Sequence, residues 1–265
     1  MDALNRLVRF GDIPALKEKA VNCDNIVALY RSIGEDEFFL ERIDLFPFFE
    51  TPLHKAASKG DTLFAMEIMR LKPSFARKPN LEGLSPIHLA LNKHHTEVVR
   101  RLLQVDGSLV RVKGREGITP LHYAAKEGDD KLLAEFLSFC PDSIEDVTIR
   151  NETALHVALT NQKLETFTFL VGWLRKNWTE KSIFWERTVL NWKDKEGDTV
   201  LHVAVTKNQT QAVELLLNCG VDINVKNLKN KTAAGMLEEQ TPDSIKIRDI
   251  LWSGYALHSR LRSYF

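Results

Sequence analysis

One seven-residue string occurs five times at a near-constant interval, and nothing else in this chain restricts its fold as strongly. Thr51-Pro52-Leu53-His54-Lys55-Ala56-Ala57 comes back as Ser85-Pro86-Ile87-His88-Leu89-Ala90-Leu91 and as Thr119-Pro120-Leu121-His122-Tyr123-Ala124-Ala125. Thr153-Ala154-Leu155-His156-Val157-Ala158-Leu159 and Thr199-Val200-Leu201-His202-Val203-Ala204-Val205 follow. The steps are 34, 34, 34 and 46 residues, and a degenerate sixth copy, Thr232-Ala233-Ala234, comes 33 residues after the fifth. A period of this size marks supersecondary units that bury their apolar faces only by stacking on one another.

The residues inside each copy say what the unit is. Thr or Ser before an apolar run is a helix N-cap, and Pro suits the first helical position. The alanines let neighbouring helices approach closely. Two residues before each cap stand Gly83, Gly117, Asn151, Gly197 and Asn230, the residue types that best tolerate the left-handed backbone of a tight turn. A second helix follows each inner one, with apolar residues at helical spacing such as Val98, Val99, Leu102 and Leu103, or Val213, Leu216 and Leu217. The pattern resembles the ankyrin repeat, whose signature is T-P-L-H-x-A-A at a period near 33. That resemblance implies an all-α repeat fold, an ankyrin-repeat solenoid of helix-turn-helix units joined by short hairpin loops.

Three segments are expected. Residues 1–50 read as a capping repeat, on Leu4, Leu7, Gly11 and Leu16, followed by a Phe-rich insertion, Gly34 to Glu50, part of which should pack on the first repeats. Residues 51–240 hold the repeats. Residues 241–265 read as a capping helix with a basic tail, in which Ile245, Ile250 and Leu251 face the last repeat while Lys246, Arg248, Arg260 and Arg262 stay wet. The long step between the fourth and fifth copies adds about 12 residues and carries Trp173, Trp178, Trp185 and Trp192, which predicts a longer outer helix over extra core, with a protruding binding surface as the alternative.

Composition narrows the chemistry. The 36 basic and 36 acidic side chains cancel, so the charge excess of a nucleic-acid binder is missing. Cys23, Cys140 and Cys219 are odd in number and widely spaced, which argues against a disulfide framework or a zinc site and for a reducing compartment. No apolar run is long enough to span a bilayer, and the N-terminal residues lack the apolar core of a signal peptide, so a cytoplasmic protein is expected. Five of the eight histidines are the motif residues, one per repeat. They form a ladder bonded to neighbouring backbone and to the cap hydroxyls, not a converging metal site. No phosphate loop, dinucleotide fingerprint, zincin motif or nucleophile elbow occurs. The expectation is no enzyme, no cofactor and no metal.

A partner is expected on the concave face, where two inner-helix residues per repeat should point. These are Lys55 and Ser58, Leu89 and Asn92, Tyr123 and Lys126, Val157 and Thr160, and Val203 and Thr206, with Tyr123 as an aromatic anchor. The hairpin fingers are read as adding positive charge through Arg77, Lys78, Arg111, Lys113 and Arg115, with Glu82 and Glu116 as possible neutralisers. That suggests a protein or peptide partner in the groove and, as an alternative, a small anionic ligand over its first half.

Three further strings are more particular: Phe139-Cys140-Pro141-Asp142-Ser143-Ile144, Asn151-Glu152-Thr153-Ala154-Leu155-His156 and Val189-Leu190-Asn191-Trp192-Lys193-Asp194. They resemble plant ankyrin proteins that carry a C-terminal multi-spanning PGG membrane domain, and among these the bian da-like defence proteins. The resemblance implies a signalling component of plant innate immunity with its ankyrin part in the cytosol. Any attachment to the plasma membrane then runs through a segment outside this sequence, with the basic tail beside the cytosolic membrane face.

Overall fold

Each cap opens a helix, and each Gly or Asn ahead of it turns the chain. In a computed structural model describing residues 13–176, 187–237 and 244–253, the chain divides into two compact units, Met1–Pro120 and Leu121–Phe265. Among the described residues all regular structure is helical.

The first unit contains α1 (Ile13–Asn22), α2 (Ile26–Glu35), α3 (Phe39–Asp44), α4 (Pro52–Lys59), α5 (Thr62–Leu71), α6 (Pro86–Asn92) and α7 (Thr96–Val105). Inner helix α4 packs on inner helix α6 and on its own outer helix α5, and α5 packs on α7. Leu53, Phe64, Ile68, Ile87 and Leu102 are fully buried between them. The Phe-rich insertion splits: Phe39 and Phe49 are buried whereas Phe38 and Phe48 are exposed. The Phe49 N–H donates to the Pro79 carbonyl at 3.1 Å, which ties the insertion to the first repeat. Leu16 is buried on α1; Leu4, Leu7 and Gly11 lie outside the described residues.

The second unit opens on α8 (Pro120–Glu127) and continues through α9 (Asp130–Phe139), α10 (Ala154–Thr160), α11 (Leu164–Lys176), α12 (Val200–Thr206), α13 (Thr210–Asn218) and α14, residues 244–253. Inner helices α10 and α12 pack together, as do outer helices α11 and α13. Phe136, Leu155 and Phe167 fill the core. The long repeat is accommodated as expected: α11 runs for 13 residues where α5, α7 and α9 run for 10. Trp173 and Trp192 are half-buried; Trp178 and Trp185 lie outside the described residues. In α14 the buried side chains are Ser244, Ile247 and Leu251, which share one helical face. Ile245 is therefore rotated into water and Ile247 takes the inward place expected of it. Lys246 and Arg248 are exposed; Arg260 and Arg262 lie outside the described residues.

A 3-10 turn follows each of the first three outer helices, at Pro73–Arg77, Gly107–Arg111 and Pro141–Glu145, and each drives an apolar residue inward: Phe75, Leu109 and Ile144. Only after these turns does the finger begin. Gly83, Gly117, Asn151, Gly197 and Asn230 all have positive φ, between 58° and 77°.

Candidate protein-interaction surface

The motif histidines are structural. The backbone N–H of Thr51 donates to His54 Nδ1 at 3.1 Å, and the equivalent bonds at Thr153 and Thr199 are 3.3 and 3.2 Å. With Nδ1 accepting, the ring proton sits on Nε2. From there it is donated to the carbonyl just before the next repeat's cap. His54 reaches Leu84 at 3.1 Å, His88 reaches Ile118 at 2.9 Å, His122 reaches Glu152 at 3.1 Å and His202 reaches Lys231 at 3.2 Å. Each ring thus joins its own helix cap to the following finger. His156 is the exception: its Nε2 is buried without a hydrogen bond. The long repeat intervenes there.

Anchoring each inner helix by its histidine and alanines leaves its other face to solvent. Leu89, Tyr123, Val157 and Val203 are half-exposed in a motif otherwise buried, and Asn92, Lys126, Thr160 and Thr206 are exposed. Lys55 and Ser58 occupy the same positions in the first repeat and are half-exposed, and the Lys55 side chain is already engaged. The Lys55 ammonium donates to the Ala20 carbonyl at 2.9 Å and to the Val21 carbonyl, closing the end of α1. Burial depresses its pKa. The Ser58 carbonyl accepts from His95 Nε2 at 3.0 Å.

The expected basic fingers are resolved differently. Arg77 and Arg111 end 3-10 turns at the foot of their fingers, because those turns take up the residues counted as finger in the sequence. Arg77 Nη2 bonds the Asp106 carboxylate at 2.6 Å and the Ser108 hydroxyl. Asp106, and neither Glu82 nor Glu116, is thus the acid that neutralises it. Lys78 is buried, with Nζ on the Asp44 carbonyl at 2.8 Å and its carboxylate at 3.2 Å. Lys113 and Arg115 remain exposed in the first unit.

Sequence reasoning missed the fingers of the second unit. Four residues before each cap stands a tip residue: Leu81 and Arg115 in the first unit, Ile149, Lys195 and Leu228 in the second. The signal was periodic and available in the sequence. Finger turns are held by a side-chain acceptor at their first residue. Asn80 Oδ1, Asp194 Oδ1 and Asn227 Oδ1 each accept two backbone N–H groups, at 2.8 to 3.0 Å. Gly114 offers no such acceptor, and its finger turns with Glu116 as well as Gly117 left-handed. A β-carbon at Gly114 would lie 2.8 Å from His88 Nε2, so the ladder excludes a side chain there.

Among the described residues no group of three or more His, Cys, Asp or Glu converges as a metal site, and no helix is long and apolar enough to cross a membrane. The three thiols are unbridged, and burial raises Cys23 to about 11, away from the reactive thiolate form.

Capped helix pairs, a histidine ladder and exposed inner faces define a repeat scaffold for interaction. The family model for ankyrin repeats matches residues 53–140, 105–182 and 121–227, and the chain belongs to the ankyrin-repeat family. It is 45% identical over 210 residues to ankyrin repeat-containing protein BDA1 of Arabidopsis thaliana, covering 79% of this chain and 49% of that protein. The chain thus spans about half the length of this curated relative. Among solved structures it resembles EF0377, an ankyrin repeat protein, at a TM-score of 0.60 and 21% identity over 75% of this chain and 95% of that one. An ankyrin repeat domain from Acinetobacter baumannii gives 0.61 and 21% over 77% and 97%. At these identities both speak to the fold.

Proposed function

We propose that the chain binds a protein or peptide partner through the exposed faces of its inner helices, as the cytosolic recognition part of a plant immune-signalling protein. The observation that supports the surface is the half-exposure of Tyr123, Val157 and Val203 within second-unit helices whose remaining motif residues are buried, a placement that Leu89 repeats within the first unit. Apolar side chains held part-way into water once per repeat give a partner repeated apolar contact. The signalling role and its place at the cytosolic face of the plasma membrane rest on the likeness to plant ankyrin proteins and to BDA1.

Affinity purification with the Tyr123→Ser/Val157→Ser variant tests the surface. Stability should change little because neither side chain fills the core, and partner recovery should collapse. Undiminished recovery refutes the inner-helix reading. A fluorescent fusion of the full-length protein in plant cells tests the location, with secretion as the contrary result. The alternative, a sensor of small anions, has lost Arg77 to Asp106 and Lys55 to the end of α1, so a thermal-shift panel of anionic metabolites should be flat.

A further inference from the structure

Three successive fingers of the second unit share a surface chemistry that the repeat fold does not require. Their tips are Ile149, Lys195 and Leu228, and each is followed by a charged residue: Arg150, Glu196 and Lys229. Ile149 is 58% exposed and Leu228 79% exposed, so two large aliphatic side chains are held out in water where the turn itself accepts any polar residue. The tips are locked to one another by backbone hydrogen bonds. The Lys195 N–H donates to the Arg150 carbonyl and the Leu228 N–H to the Glu196 carbonyl, both at 2.9 Å. Asn151 Nδ2 adds a bond to the Lys193 carbonyl at 2.6 Å. The row is a preorganised ridge and not a set of independent loops.

Charge on the ridge is segregated in a chain whose net charge is zero. Over residues 148–151, 193–197 and 226–230 every basic side chain is exposed: Arg150, Lys193, Lys195, Lys226 and Lys229. Glu196 is the one exposed acid in these segments. Asp194 is turned inward onto the N–H groups of Glu196 and Asp198.

We propose that this ridge docks an acidic segment of a partner protein, one in which aliphatic side chains flank a carboxylate. The aliphatics rest on Ile149 and Leu228, and the carboxylate meets Lys195 between them. The inference rests on the reading of the chain as a protein-interaction module and adds to it a second surface and a partner chemistry. The alternation along single-file tips, aliphatic then lysine then aliphatic, suits a polypeptide running across the fingers. A lipid bilayer matches it poorly, since Lys195 and Glu196 would be carried between the two anchors. A nucleic acid would leave both aliphatics unmatched and face Glu196.

The probe is a short fluorescent peptide of alternating leucine and glutamate, titrated against the full chain. Saturable binding that weakens as salt rises is expected. The Lys195→Glu/Lys229→Glu variant should lose roughly ten-fold or more in affinity. A peptide with lysine in place of glutamate should recover binding to that variant, which a merely misfolded protein cannot do. Ile149→Ser/Leu228→Ser should weaken binding several-fold without lowering the melting temperature. Tyr123→Ser/Val157→Ser should leave this peptide's affinity unchanged. Absence of binding, indifference to charge reversal, or stronger binding of phosphatidylserine vesicles or polyuridine RNA than of the peptide overturns the ridge. The two readings fail separately. A natural partner released by Tyr123→Ser/Val157→Ser and retained by the charge-reversed variant removes the ridge and keeps the inner-helix surface, and the opposite pattern does the reverse.

Discussion

His54, His88, His156 and His202 stay neutral to do their work. Nδ1 of His54, His156 and His202 accepts a backbone N–H; a proton placed there would set donor against donor. Burial holds His54, His88 and His156 down at about 4. The unfolded chain takes up these protons near the ordinary pKa of about 6.5, the folded chain only near 4. Stability is therefore whole at neutral pH and drains as pH falls through that window, by up to roughly 3 kcal/mol per ring. Urea midpoints followed by circular dichroism should drop steeply between those values, and a flat profile refutes the ladder. His88→Ala should cost about 1 kcal/mol more than His156→Ala, since His88 also loses its bond to the next finger. Asp194 works in the opposite direction. Burial pushes it up to about 6, so its contribution is present at acid pH and lost as pH rises through that value. Asn80 and Asn227 do the same turn-holding job without charge. Asp194→Asn should accordingly raise the melting temperature at neutral pH and change little near pH 4.

At the scale of elements, the fingers carry the narrowest tolerances. Gly197 has φ of 77°, and a β-carbon there would stand 2.8 Å from the Leu228 backbone nitrogen. Gly197→Ala combines left-handed strain with a push on the neighbouring finger and should destabilise by about 1–3 kcal/mol. Gly220→Ala meets the same backbone strain, with φ of 70°, but open space, and should cost less; equal losses in a denaturant titration would show that the close approach of the fingers does not matter. The helix starts, the left-handed turn residues and the lengthened α11 were legible from caps, Gly or Asn positions and period, because each is decided within a few residues of chain. Arg77 on Asp106 and Lys55 on the end of α1 were not. Those pairs join residues about thirty apart, where the first depends on how far the 3-10 turns advance the chain and the second on where α1 ends against α4, which no local pattern reveals. Ile245 and Ile247 were exchanged for a simpler reason: the helical phase of a short segment is undetermined until one neighbour is known. The ridge tips were legible in principle, since they share with the two first-unit tips one place in the period.

Across the whole molecule stability is a matter of neighbours. A repeat stack has no central core, and each unit is stabilised by its own packing and by the unit beside it. Capping elements therefore act locally. In α14, Ile247 and Leu251 are buried while the opposite face, with Trp252 68% exposed, meets water. Leu251 also lines a cavity with Ala234 and Leu237, which places α14 against the end of the last repeat. Leu251→Ala should cost about 2–4 kcal/mol at that contact. In a globular protein with one core such a loss would lower protection everywhere. Here hydrogen exchange should quicken through residues 221–237, where fingers and short turns carry few buried apolar side chains, while amides in α9 and α10 keep their protection. Uniform acceleration across the second unit would mean that it unfolds as a single cooperative block, and the nearest-neighbour account of its stability would fall with it.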